Sequence, residues 1–158
     1  TDLEGVDREY ESSIRTYSAK VSRVKACFDS LIDRSIASSG DSRVVSANNY
    51  YNDRMNKITT AEGIINEDLV KIAAARDLLS TTEATIQGTQ SSQVISDTFD
   101  SYQRQYTESG FPDNTTYSTR RMSYARDKSE SDRDSEGDDH LNSCSQIEAS
   151  YWASQNAY

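Results

Sequence analysis

The sequence predicts an all-α protein, an elongated four- or five-helix bundle in which two long antiparallel helices carry coiled-coil-like heptad seams. Three observations predict this class. The 158-residue chain has one Pro and six Gly, too few turn residues for closely spaced strands. Hydrophobic residues make up 34% and charged residues 27%, so the core must be thin. Apolar residues recur every seven positions along two long segments, which is typical of packed helices.

The first predicted helix covers about 2–39 and has one narrow apolar stripe. Its two rows, four residues apart, are Leu3, Tyr10, Tyr17, Val24 and Leu31, then Ile14, Val21 and Phe28. We expect Gly40 to cap this helix, because glycine readily adopts the left-handed conformation. Asp41 and Ser42 can then cap the start of the next helix.

The second predicted helix covers 43–87 and repeats the heptad more strictly. Its main row is Val44, Tyr51, Ile58, Ile65, Ile72, Leu79 and Ile86, and its companion row is Asn48, Met55, Glu62, Leu69 and Arg76. Such a row spans about 60 Å at 1.5 Å per residue, so we expect another chain to cover part of it. The alternative is a turn at Thr59–Gly63 that divides this segment into two helices, because Thr59 and Glu62 match a capping box.

Shorter helices are predicted at 93–109 and 115–125, separated by Gly110 and Pro112. Residues 1–125 would then form the helical bundle. Residues 126–140 contain no large apolar side chain and are predicted to be an acidic loop. Helical spacing returns in 141–158, which we expect to be a C-terminal helix packed on the bundle.

The net charge of −9 argues against nucleic acid and anionic membrane surfaces as partners. No apolar stretch approaches the roughly 20 residues of a membrane span, so no membrane insertion is expected. Cationic partners, calcium among them, remain allowed.

The acidic stretch 132–143 resembles the EF-hand calcium loop over one window of twelve residues. The resemblance implies Asp132, Asp134 and Glu136 as ligands, Gly137 at the sharp turn, and Asp138 as a further ligand. His140 would stand at the water-mediated position. The twelfth position, however, is Ser143 rather than a bidentate Glu, which implies weak binding. A solvated acidic connection is the alternative.

The sequence contains no pattern that indicates catalysis. His140 is the sole histidine, so two-histidine metal sites are impossible, and no CxxC, HExxH, Walker or GxGxxG pattern occurs. We expect no enzymatic activity, and no cofactor beyond the calcium already considered.

Aromatic and sulfur-containing residues provide the remaining candidate sites. We expect four aromatic residues that crowd or leave the seam to contact partner proteins: Tyr50, Tyr151, Trp152 and Tyr158. Cys27 and Cys144 either form a disulfide or remain two separate buried thiols. Asn114 begins a glycosylation triplet, and with the cysteine pair it favours the secretory pathway or an extracellular location.

These features predict a soluble, non-enzymatic structural or assembly protein. Its partners would be identical or related subunits, packed through the heptad seams and the exposed aromatics. The alternative is a calcium-responsive helical binding module that uses the 132–143 stretch.

Overall fold

The computed structural model describes residues 3–111 and 128–156. In those ranges it contains four helices and no strand, which confirms the all-α class. The helices are α1 (Leu3–Asp33), α2 (Ser42–Gln87), α3 (Ser92–Glu108) and α4 (Glu130–Asn156). The predicted helix at 115–125 and the Asn114 triplet lie outside the described residues.

The first helix ends at Asp33 rather than near residue 39, and its cap is Ser35 rather than Gly40. Ser35 has a left-handed φ of 58°, and the Ile36 N–H donates to the Leu31 carbonyl at 2.8 Å. This is the six-to-one hydrogen bond of a Schellman motif. The prediction was wrong because serine seldom takes this position, so the pattern pointed to the next glycine.

The second helix is one unbroken element of 46 residues, without a turn at Thr59–Gly63. Its start is capped by Asp41, whose Oδ1 accepts the backbone N–H of Arg43 at 2.9 Å. The Arg43 side chain also donates to this carboxylate and lowers the pKa of Asp41 to about 2. The negative charge lies at the positive end of the helix dipole, where it stabilises the helix.

The buried side of α2 differs from the predicted seam in one of its two rows. The main row is correct for Val44, Ile58 and Ile65, which are buried. The companion row lies three positions after the main row rather than four, and its buried members are Ala47, Arg54, Ala61, Asp68 and Thr82. Of the predicted companions, Glu62 and Arg76 are exposed. The apolar pattern missed the true row because its members are small or polar.

The third helix begins at a capping serine and ends before a left-handed glycine. The Ser91 side chain accepts the Val94 N–H, and Gly110 has a φ of 63°, as Gly110 was expected to have. None of the residues of α3 is buried.

The fourth helix corrects the predicted acidic loop at 126–140, because helical structure begins at Glu130 and continues to Asn156. Its buried residues are Arg133, Gly137, Cys144 and Ile147, spaced three, four or seven apart on one side of the helix. An acidic segment with hardly any apolar residue is helical here because it is docked against other helices.

The chain divides into two compact units. The described part of unit 1 comprises residues 3–10 and 63–111, and that of unit 2 comprises 11–62 and 128–156. Unit 2 contains most of the buried apolar side chains: Ile14, Tyr17, Val21, Val24, Phe28, Leu31, Val44, Ala47, Tyr50, Ile58, Ala61, Cys144 and Ile147. In the described ranges no helix is both long enough and apolar enough to cross a membrane.

Candidate interaction surfaces

The acidic helix α4 is held in unit 2 by two basic side chains, Lys20 of α1 and Arg34, which follows α1. Residues 130–156 carry seven acidic side chains and one arginine, whereas 11–62 carry eight basic and six acidic ones. Lys20 Nζ lies 2.9 Å from Asp138 Oδ1 and 3.5 Å from Asp134 Oδ1, and Arg34 pairs with Glu148. The hydrogen bond to Asp138 raises the pKa of Lys20. Three of the acidic residues, Asp134, Asp138 and Glu148, therefore help to dock α4.

These contacts correct the calcium-loop prediction. Asp132, Asp134, Glu136 and Asp138 all lie on a helix, where the carboxylates cannot converge as they do in an EF-hand loop. Asp134 and Asp138 face Lys20, and Glu136 pairs with Lys128. Among the described residues, no group of three or more His, Cys, Asp or Glu side chains is placed to hold a metal ion.

Gly137, predicted to form the sharp turn of a calcium loop, instead allows a close helix–helix contact. A Cβ atom at this position would lie 2.6 Å from Lys20 Cδ and 3.3 Å from the Tyr50 hydroxyl. Both α1 and α2 therefore approach the backbone of α4 at this residue. Only glycine leaves room for the Lys20 side chain to cross α4 and reach its carboxylates.

A buried polar cluster joins the three helices of unit 2. Arg54 is 2% exposed, and its Nη1 donates to the Tyr17 hydroxyl at 3.2 Å. Its Nη2 donates to Asp53 at 2.8 Å, and the guanidinium of Arg133 lies 5.1 Å from the centre of the Tyr17 ring. Arg54 thus contacts the hydroxyl of Tyr17, and Arg133 lies over the face of the same ring. These contacts stabilise the packing of unit 2.

Tyr50 corrects another prediction, because it is buried in unit 2 and is not available to a partner protein. Its ring lies 4.5 Å from the ring of His140, and its side chain is 6% exposed. Burial raises the pKa of the Tyr50 hydroxyl. His140, assigned to the water-mediated calcium position, thus packs against Tyr50 instead.

A disulfide joins Cys27 of α1 to Cys144 of α4, so of the two alternatives left open the structure contains the bridge. Cys144 is fully buried. The bridge links residues 117 positions apart and fastens α4 to α1 midway between the Lys20 and Arg34 ion pairs.

The end of α4 presents an aromatic pair. Tyr151 and Trp152 meet edge to face with ring centres 5.1 Å apart, and Trp152 is 50% exposed. Hydrogen bonds from Arg34 and Trp152 lower the pKa of Glu148, so this carboxylate anchors the exposed indole. Tyr158, the other aromatic residue predicted to bind a partner, lies outside the described residues.

Unit 1 presents a second exposed surface on α3. Phe99 is 50% exposed, and half-buried Ile95, Tyr102 and Tyr106 lie beside it at helical spacing. The Tyr106 ring contacts those of Tyr102 and Phe111, with centres 5.9 Å and 5.2 Å apart. We call Ile95, Phe99, Tyr102 and Tyr106 the aromatic face of α3.

An open groove of about 490 Å³ runs between α2 and α3 within unit 1. Its α2 side is formed by Leu78, Thr81, Thr82 and Thr85, and its α3 side by Val94, Asp97, Thr98, Ser101, Tyr102 and Gln105. We call this the α2–α3 groove. Sequence analysis missed it because threonine and serine contribute half of its wall residues, and these residues do not belong to any apolar repeat in the sequence.

Unit 1 also buries two carboxyl groups that sequence patterns did not identify. Asp7 and Asp68 are each at most 1% exposed, and both have interaction partners. The signal that could have found Asp68 is its position in the true companion row of α2, three residues after Ile65.

No protein-family model, curated protein or solved structure matches this chain.

Proposed function

We propose that this chain is a non-enzymatic structural or assembly subunit that packs with identical or related chains through exposed apolar and aromatic side chains. The observation that carries the proposal is the exposure of the residues of α3. This helix has 17 residues and an aromatic face, yet none of its residues is fully buried and Phe99 is exposed.

The physical argument is that an amphipathic helix gains most of its stability from burial of its apolar face. Single exposed apolar residues are normal, but contiguous apolar surface is typical of protein contact sites. Phe99 belongs to the aromatic face of α3 and has half its area in solvent. Packing of this face against a neighbouring chain supplies the apolar burial that α3 does not obtain within its own chain.

The exposed Trp152 provides a second contact on unit 2, where tryptophan offers a large apolar area and one hydrogen-bond donor. Two contact surfaces, one on each unit, allow a subunit to join more than one neighbour. The disulfide further supports an oxidising compartment, and hence the secretory pathway or an extracellular location, as part of this proposal.

The test compares Phe99→Ser with Val45→Ser by size-exclusion chromatography coupled to light scattering. Phe99 and Val45 are both exposed, 50% and 43% respectively, but Val45 belongs to unit 2 and is not part of the aromatic face. We expect the native chain to increase in mass with concentration, Phe99→Ser to remain closer to the monomer mass, and Val45→Ser to behave like the native chain. A native chain that stays monomeric throughout contradicts the proposal.

A further inference from the structure

The α2–α3 groove shares Tyr102 with the aromatic face of α3, but most of its other wall residues are polar. Three of its four threonines donate their hydroxyl hydrogens to carbonyls of their own helix: Thr82 to Leu78, Thr85 to Thr81, and Thr98 to Val94. Gln105 and Gln93 donate side-chain hydrogens to Ser101 and Asp97. Four of the seven wall side chains that can donate a hydrogen bond therefore donate within their own helix.

The charge in and around the groove is acidic. Asp97 is its charged wall residue, and among the described residues no Lys, Arg or His lines it. Residues 63–111 carry seven acidic and three basic side chains. Complementary charge steers association and excludes like-charged partners. An acidic, donor-poor groove therefore favours a ligand that brings positive charge and N–H donors.

The shape of the groove favours a helix. Its walls are two helices joined by a short connection, and the α3 wall, from Val94 to Gln105, is about 17 Å long at 1.5 Å per residue. An open channel between paired helices accepts the apolar face of a third helix, as in helix-in-groove recognition. The apolar contacts available are Leu78, Val94 and the ring of Tyr102.

We propose that the α2–α3 groove binds one amphipathic helix of a partner protein whose apolar face is bordered by lysine or arginine. This inference rests on the proposed assembly function and specifies one of its partners. A second copy presenting the same acidic groove is disfavoured, because the two walls would repel each other.

The test uses two synthetic peptides with the same leucine heptads, one flanked by lysine and the other by glutamate. Binding of each labelled peptide to the full, disulfide-bonded chain is measured by fluorescence anisotropy. We expect the lysine peptide to bind at least about tenfold more tightly, a difference of the size that a few charge contacts provide. Equal binding of both peptides overturns the inference.

Matched variants locate the binding site. Leu78 lines the groove and is half-buried, whereas its neighbour Leu79 is exposed and does not line it; each is replaced with serine. We expect Leu78→Ser to weaken binding of the lysine peptide about five- to tenfold and Leu79→Ser less than about twofold. Equal losses would show general attraction to an acidic protein and overturn the inference.

A second pair of variants tests the same site in case Leu78→Ser disturbs folding. Asp97 lines the groove and Asp100 does not, and both lie on α3. Asp97→Lys should weaken binding of the lysine peptide several-fold more than Asp100→Lys, although both change the net charge equally. Equal effects contradict the proposed site.

Sedimentation without peptide separates this inference from the assembly function. If the chain self-associates and Leu78→Ser abolishes that association, the occupant of the groove is a second copy. In that case the inference fails and the assembly function stands. If the native chain assembles but does not bind the lysine peptide, the inference also fails by itself.

Discussion

Replacing Gly137 with alanine should destabilise the docking of α4, although the same change stabilises an exposed helical position. The added Cβ would lie 2.6 Å from Lys20 Cδ and 2.8 Å from Lys20 Cγ. Carbon atoms prefer separations near 3.5–4.0 Å, so Lys20 must move by about 1 Å. The hydrogen bond from Lys20 Nζ to Asp138 is then distorted, and the Tyr50 hydroxyl restricts movement of the new Cβ away from Lys20.

The magnitude follows from two opposing contributions. Alanine in place of glycine stabilises a helix interior by about 1 kcal/mol. Overpacking a close contact costs about 1–3 kcal/mol, and a weakened surface ion pair costs less than about 1 kcal/mol. Gly137→Ala should therefore lower the free energy of unfolding by about 0–3 kcal/mol.

Gly63→Ala is the matched control, because Gly63 lies inside α2 and a Cβ there would meet nothing within 4 Å. This variant should raise the free energy of unfolding by up to about 1 kcal/mol. Urea denaturation followed by circular dichroism measures both variants. If Gly137→Ala is stabilised as much as Gly63→Ala, α4 does not approach α1 and α2 as described.

Three further predictions concern unit 2 and the start of α2. Replacing Cys27 and Cys144 with serine should lower the free energy of unfolding by about 4–5 kcal/mol on the chain-entropy model, measured by urea denaturation. A loss below about 1 kcal/mol would show that the bridge does not restrain the chain. The Asp41 carboxyl should titrate near pH 2 in NMR spectra. Because its folded pKa lies below the ordinary value of 3.8, its stabilising contribution should be complete above about pH 4 and disappear as the pH falls through 2. An ordinary pKa would contradict the capping geometry. Arg54→Met should cost about 1–3 kcal/mol because the buried Tyr17 hydroxyl loses a charged donor, and a neutral result in the same urea assay would contradict a buried hydrogen bond.

The helical class and the second helix could be predicted because their signals are local. The heptad row from Val44 to Ile65 predicts a helix directly, and the limits of α2 differ from the expected 43–87 by one residue at its start. The companion row could not be predicted in the same way. Arg54 is buried through its hydrogen bond to Tyr17, a contact between residues 37 positions apart, and apolar periodicity does not register such a residue.

The fourth helix shows why the acidic segment was misinterpreted. Its helix depends on contacts from Lys20 and Arg34, each 114 or more positions away, and on the fit of Gly137 against another helix. A local pattern of aspartate, glutamate and glycine is equally typical of a calcium loop. Only the tertiary partners distinguish the two, so sequence spacing gave the wrong structure for the candidate site.

The central claim of assembly is tested most directly by sedimentation equilibrium of the native chain across a range of concentrations, with calcium and with chelator. We predict a mass that rises with concentration and is the same in both conditions, because the aromatic face of α3 drives association and Asp134 and Asp138 of α4 already face Lys20. A monomer mass at every concentration would contradict the assembly function. A mass that changes with calcium would contradict the assignment of the acidic residues to helix docking.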